Sequence, residues 1–134
     1  MAAVSISAVS AGLGGNTVNV NGIDFNVPDG FENQSLPDDP GFVDAENGVL
    51  FQDSSSGNFA MIGVGDKLPE IPENYTGETK DMDINGKQGT LTSFNTQSYG
   101  KNCNFFDYEQ DNKKVRVAVF TDDDGQDLLK EIIA

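Results

Sequence analysis

The chain has 134 residues, 22 acidic side chains against 8 basic ones, a formal net charge of −14 at pH 7, and no histidine. Its length is typical of one domain with its own core, and its negative charge opposes nucleic acid and anionic membrane surfaces as partners. The lack of histidine removes the usual general base near neutral pH and the commonest zinc ligand. Acidity of this kind usually serves solubility; it also leaves cationic partners, polyamines and divalent cations open.

The first segment, residues 1–15, is uncharged and ends in a Gly-rich joint. Residues 2–13 are too few to span a bilayer, and no basic region precedes them. Two interpretations are open. The segment is either the remnant of a signal or membrane-anchor segment that begins upstream of Met1, or an extra edge strand in which apolar residues alternate with serine. As a strand, residues 2–11 are expected to pair with an open edge, and self-association with a neighbouring copy is one form of that pairing.

Residues 16–134 are predicted to form one α+β domain: an antiparallel sheet built from successive β-hairpins, with a C-terminal amphipathic helix packed on one face. The first hairpin runs from Val18 to Val27 and turns at Asn21-Gly22, a pair typical of type I′ turns. Pro28-Asp29-Gly30 ends this hairpin. Residues 32–47 then predict a long loop or a short helical turn.

Three further hairpins are predicted, for a total of about eight strands in one sheet. The second joins residues 48–52 to residues 58–64, and the third runs from about Lys80 to Phe94 through Asn85-Gly86. The fourth joins residues 102–108 to residues 115–120 through a polar six-residue turn. Residues 18–23 and 82–87 are alike in sequence, and convergence on good hairpin chemistry explains this better than an internal repeat.

Cys103 is the single cysteine, so the chain can form neither an internal disulfide nor a cysteine metal cluster. It alternates with asparagines on a predicted strand. We therefore expect Cys103 to be a small buried hydrophobe.

The chain closes with Leu128, Leu129, Ile132 and Ile133 at helical spacing, preceded by Asp122-Asp123-Asp124-Gly125. Carboxylates before a helix are typical of capping. An EF-hand alignment on Gly125 makes Asp122, Asp124 and Glu131 weak metal candidates. It also places Phe120 at a ligand position that needs oxygen. Capping is therefore the preferred interpretation, and we expect no metal, no cofactor and no catalytic residue.

Two sequons, Asn33-Gln34-Ser35 and Asn74-Tyr75-Thr76, lie in predicted polar loops, so Asn33 and Asn74 are candidate glycosylation sites. They favour an extracellular setting.

A further acidic cluster is predicted to be solvated surface, with weak cation binding as the minority interpretation. Its members are Asp38, Asp39, Asp44 and Glu46.

The order of parts resembles the PsbP-like group of small extracytoplasmic α+β domains. The resemblance rests on the opening Ile23–Phe31, the Ile84–Gly89 hairpin and the closing Leu128–Ile133 helix. The opening is also similar to that of uncharacterised secreted or membrane-anchored archaeal domains. The resemblance implies an antiparallel sheet flanked by helices and a binding or accessory role. No covering helix is evident at the N-terminal flank.

The expected function is that of a noncatalytic extracytoplasmic domain, secreted or membrane-anchored, that acts in binding or surface assembly with a protein or small ligand. The alternative function is a small carboxylate-dependent hydrolase, since paired carboxylates can perform acid–base chemistry. The alternative location is the cytoplasm, as an accessory protein whose first strand belongs to the fold.

Overall fold

A computed structural model describes residues 6–7, 16–34, 36, 43, 47–71, 75–95, 100–123 and 125–133. In these ranges the chain forms ten strands and one helix: β1 Ile6–Ser7, β2 Asn16–Val20, β3 Ile23–Val27, β4 Phe31–Gln34, β5 Gly48–Asp53, β6 Phe59–Gly65, β7 Gly77–Ile84, β8 Lys87–Phe94, β9 Asn102–Gln110, β10 Lys113–Thr121 and α1 Gln126–Ile132. The predicted antiparallel hairpins and C-terminal helix are confirmed.

The strands form two antiparallel sheets, and the prediction of a single sheet is wrong. One sheet has the order β1-β2-β3, and the other has the order β4-β5-β6-β10-β9-β8-β7. The first hairpin stands apart because alternate residues on both of its strands are apolar. They are buried in the same core cluster as residues of the larger sheet: Val18, Val20, Ile23, Phe25 and Val27. Its apolar side therefore covers the larger sheet instead of extending it.

Both predicted type I′ turns are confirmed by their backbone angles. Asn21 and Gly22 have φ values of 50° and 94°, and Asn85 and Gly86 have φ values of 52° and 87°. The fourth hairpin also closes with a two-residue turn, at Asp111-Asn112 with φ values of 54° and 63°. The predicted six-residue turn is therefore wrong. Asp and Asn tolerate the left-handed region, which lets β9 and β10 continue to the turn.

β4 corrects the prediction that residues 32–47 form only a loop or helical turn. Phe31–Gln34 pairs antiparallel with β5, and Phe31 lies opposite Asp53. Three of its four residues are exposed, as expected for an edge strand. The pairing supplied by the edge of β5 outweighs the weak strand propensity of this polar segment.

β10 lies between β6 and β9, and both of its faces are buried, as is typical of a central strand. We call the face that carries Val115, Val117 and Val119 face A, and the face that carries Arg116, Ala118 and Phe120 face B. Face A belongs to the larger core cluster, which also holds buried residues of β2, β3 and α1. Face B carries a smaller cluster, against which Leu36, Ile71 and Tyr75 of the connecting segments pack.

The apolar residues of the C-terminal segment, Leu128, Leu129, Ile132 and Ile133, are buried in the larger core cluster. The N-cap of α1 is Gly125, with φ 71° and no side-chain cap of its own. A Cβ at Gly125 would lie 2.7 Å from Cγ2 of Val119, which explains why glycine stands there. The Asp123 carboxylate instead accepts a 2.8 Å hydrogen bond from the N–H of Gly125.

Within the described part of the chain, no helix has the length and hydropathy that a membrane span requires.

Candidate functional site

β7 is the most exposed long strand of the larger sheet and lies at its end. Its residues from Gly77 to Asp81 are exposed, as is Asp83, and only Ile84 at the turn is buried. β7 pairs with β8 along its full length in one continuous register, from Gly77 opposite Phe94 to Ile84 opposite Lys87. Its other side is an edge of the described sheet.

An open groove of about 540 Å³ follows this hairpin and is lined by Asp81, Met82, Asp83, Gln88, Gly89 and Thr90. Gly89 allows β8 and β9 to approach closely here. A Cβ at Gly89 would lie 2.3 Å from the carbonyl oxygen of Asp107 and 3.0 Å from Cζ of Phe106. The lining combines two carboxylates, two neutral polar side chains and one thioether, which suits a cationic or mixed polar and apolar ligand.

The two groove carboxylates differ in the hydrogen bonds that they make within the protein. Oδ1 of Asp83 accepts a 3.0 Å hydrogen bond from the N–H of Gly86, so this oxygen stabilises the turn. Asp81 lies directly opposite Thr90, which in turn lies opposite Asp107 of β9. Asp81 and Asp83 are both exposed on the same side of β7. Each therefore keeps carboxylate surface open to solvent and to a ligand.

Arg116 forms a buried polar cluster on face B. The residue is 4% exposed. Its Nε and Nη2 donate to the two carboxylate oxygens of Asp107, at 2.9 and 3.1 Å, and Nη1 donates to the carbonyl oxygen of Pro69 at 2.8 Å. Its guanidinium carbon lies 5.2 Å from the ring centroid of Phe105. A bidentate ion pair with a third bond to a loop carbonyl ties the 66–71 segment to the sheet.

Cys103 and Tyr108 are buried on opposite faces of β9, at 1% and 5% exposure. Burial raises the pKa of the Cys103 thiol to about 12. Burial likewise raises the pKa of the Tyr108 phenol above its ordinary value. Cys103 is thus a small buried hydrophobe, as predicted, and its thiolate is disfavoured.

The metal candidates lie in different surroundings. Asp122 Oδ1 pairs with Lys101 Nζ at 2.8 Å, and Lys101 also donates to the carbonyl oxygen of Ser56 at 3.0 Å. Glu131 is exposed on α1, and Asp124 lies outside the described residues. The described residues contain no group of three or more metal-ligating side chains.

One of the two candidate glycosylation sites falls in the described ranges. Asn33 is exposed but stands on the edge strand β4, so its predicted loop position is wrong. Asn74 lies outside the described residues. So do all four members of the predicted acidic cluster, Asp38, Asp39, Asp44 and Glu46.

The loop between β5 and β6 is ordered by its own polar groups. The Ser55 hydroxyl and backbone N–H donate to Asp53 Oδ1 at 2.7 and 2.9 Å. These bonds favour the ionised form and lower the pKa of the Asp53 carboxyl, with the hydroxyl as the larger cause.

Sequence reasoning missed the second role of the two turn asparagines. Asn21 Nδ2 donates to the carbonyl oxygen of Val64 at 3.0 Å, which ties the first hairpin to β6. Asn85 Nδ2 donates to the carbonyl oxygens of Lys130 and Ile133, at 3.1 and 2.7 Å, at the C-terminal end of α1. Sequence reasoning also missed the Arg116–Asp107 pair. The signal available for it was the single arginine of the chain, which alternates with valines on the last predicted strand.

Comparisons with known proteins give one structural likeness. No protein-family model and no curated protein sequence matches the chain. The structure is similar to cyanobacterial PsbP (CyanoP) from Synechocystis sp., with 13% sequence identity, a TM-score of 0.49, and coverage of 97% of this chain and 86% of that chain. That protein bears the name of the group that the opening motif and closing helix resemble.

Proposed function

We propose that the chain is a noncatalytic extracytoplasmic binding domain that takes a cationic partner protein at the β7–β8 groove. The observation that carries the proposal is the exposed edge strand β7, whose Asp81 and Asp83 line the groove. A net charge of −14 attracts a cationic partner over a long range.

The rest of the larger sheet has less exposed surface at which a partner could bind. We infer that α1 covers part of face A, since its buried residues share a core cluster with β2, β3 and the larger sheet. On face B the connecting segments pack over the smaller cluster, and Arg116 ties one of them down through the Pro69 carbonyl. The β7–β8 end therefore keeps the longer exposed polar strand of the described sheet, eight residues against four in the opposite edge strand β4.

Binding is favoured over the alternative of a carboxylate-dependent hydrolase. A glycosidase-type pair needs two carboxyl groups that flank the scissile bond, with the acid kept protonated by its surroundings. Asp81 and Asp83 are exposed side by side on one strand, and one oxygen of Asp83 is held by the turn. This arrangement suits the pairing of positive charges better than the division of acid and base roles.

The extracytoplasmic location is part of the proposal and is supported by the exposed Asn33 within its sequon. Expression through a glycosylating secretory pathway should add a glycan that is lost in Asn33→Gln. A secreted product that lacks the glycan while Asn33 remains in place would remove this support.

Self-association through residues 2–11 also stays a proposal. Ile6 and Ser7 pair with Val18 and Thr17 of the same chain, so the first sheet has a place for this segment. Exchange of β1 between copies would use the same pairing. Sedimentation equilibrium of the full chain should show a dimer, and a monomer over the whole concentration range would count against exchange.

The binding proposal is tested by NMR titration of the full chain with a lysine-rich peptide. The largest chemical-shift changes are expected along β7 and β8, and Asp81→Asn should weaken binding about two- to fivefold because one opposite-charge contact is lost. Asp29→Asn, at the exposed turn after β3, removes the same charge elsewhere and is the matched control. Equal weakening by both variants, or shifts spread evenly over the acidic surface, would overturn the proposal.

A further inference from the structure

We infer that the partner contributes an extended basic segment, which joins the larger sheet as an antiparallel strand beside β7. The inference rests on the proposed function and adds the form in which the ligand is bound. An edge strand presents unpaired N–H and C=O groups and is a template for another chain.

The register of β7 shows which of its backbone groups face the open side. In a two-residue hairpin the residues that flank the turn form a hydrogen-bonded pair, and such pairs then alternate along the ladder. Ile84 and Lys87 are that first pair. The backbone groups of Gly77, Thr79, Asp81 and Asp83 are therefore directed away from β8, and all four residues are exposed.

The side chains of β7 specify which sequence fits beside it. The outward-directed residues Thr79, Asp81 and Asp83 carry their side chains on face B, while Lys80 and Met82 point to face A because strand side chains alternate. A residue opposite Asp81 directs its own N–H to β7 and its side chain to face B. Lysine or arginine at every second position would thus meet the carboxylates, with apolar residues between them on the side of Met82.

A second copy of this chain fits the edge less well than a basic segment does. If β7 paired with β7 of another copy, carboxylates would face carboxylates, and like charges directly opposite each other destabilise a sheet. Each copy also carries a net charge of −14. β7 is nonetheless eight residues long, without proline and with an unbroken register, whereas the opposite edge strand β4 has four residues. Its acidic residues therefore oppose self-pairing and favour a basic strand.

The probe is an extended peptide in which Lys alternates with Val, used with the full chain. N-methylation of the Lys amides removes the N–H groups that would bond to β7 and should weaken binding by about tenfold or more. N-methylation of the Val amides leaves those groups intact and should leave binding unchanged. The two methylated peptides have the same charge and composition. They differ only in whether the N–H groups that face β7 are methylated.

Thr79→Pro is the matched change on the protein. It removes one N–H on the open side and leaves the hydrogen-bonded pairs with β8 in place, so we expect about tenfold weaker binding. Thr79→Val keeps that N–H and should bind like the parent. Equal affinity for both methylated peptides, with shifts still confined to β7 and β8, would overturn strand addition and leave the proposed function standing. Absence of binding at this surface by the unmethylated peptide would overturn both.

Discussion

The two Asn-Gly hairpins have the same turn hydrogen bond but differ in how deeply their strands are buried. In both, the residue two positions before the asparagine accepts a hydrogen bond from the glycine N–H: Asn19 for Gly22 at 3.1 Å and Asp83 for Gly86 at 3.0 Å. One side of the β2–β3 hairpin is buried in the core, whereas β7 of the β7–β8 hairpin is the exposed edge that we propose for binding. Equal turns therefore do not lead to equal positions in a fold.

The apolar residues on the strands account for the difference. β3 has an apolar residue at every second position, and its Ile23, Phe25 and Val27 are all buried. β7 has apolar residues only beside its turn, at Met82 and Ile84, and the rest of the strand is polar or glycine. A strand gains burial energy in proportion to the apolar area that it can cover. The first hairpin is therefore driven onto the core, and most of β7 stays in water.

The largest difference between the hairpins should appear when an apolar side chain is removed from each. Phe25 is 1% exposed, and Phe25→Ala should lower the free energy of unfolding by about 3–5 kcal/mol through lost burial and a cavity. Met82 is only partly buried, and Met82→Ala should cost about 1 kcal/mol. Urea unfolding of both variants measures this. Similar losses would show that the β7–β8 hairpin contributes as much to the core as the β2–β3 hairpin.

A smaller difference should follow when a Cβ is added to each turn glycine. Gly86 has open space around it, so Gly86→Ala should cost about 1–2 kcal/mol from left-handed strain alone. A Cβ at Gly22 would lie 2.9 Å from Nζ of Lys113, which bonds the carbonyl oxygen of Asn21. Gly22→Ala should therefore cost about 1 kcal/mol more, since that contact must move. Thermal unfolding compares the two, and a larger loss at Gly86 would contradict the prediction.

The turn asparagines should give a difference no larger than that of the glycines. Asn→Gly keeps the left-handed angle and removes only the side chain, so its effect on the unfolded chain is the same at both positions. Asn85→Gly loses two hydrogen bonds to the end of α1, and Asn21→Gly loses one to β6. We expect Asn85→Gly to be more destabilising by about 1 kcal/mol. Amide hydrogen exchange should also show loss of protection in the last turn of α1 for Asn85→Gly alone; protection that persists there would mean that Asn85 does not hold the helix.

Most elements of the fold could be predicted from local residues, because turn chemistry and apolar alternation act over a few positions. The Asn-Gly turns, the four hairpins and the helical spacing from Leu128 to Ile133 belong to this class. β4 could not be predicted in this way. Its polar residues form a strand because they pair with the edge of β5, which is distant in the sequence. The two-residue turn at Asp111-Asn112 could not be located within its segment of six polar residues, because the local sequence does not mark which two of them turn.

The candidate site was accessible to sequence reasoning only in part. The acidity of the chain and the polar strand around Asp81 could be read directly, but the edge position of that strand depends on the order of seven strands. The partners of Arg116 were equally out of reach. Asp107 comes beside it through the β9–β10 register, and the Pro69 carbonyl comes from a loop 47 residues away in sequence.

The sequence by itself determined where the chain turns, which strands are apolar enough to be buried, and the negative field that surrounds the protein. The tertiary structure decided that the first hairpin leaves the larger sheet to cover it, that Asn85 holds the end of α1, and that β7 is left as an open acidic edge. Turn angles and side-chain alternation are set by neighbouring residues. Strand order and long-range hydrogen bonds are set by which surfaces bury the most apolar area together, and that is a property of the whole chain.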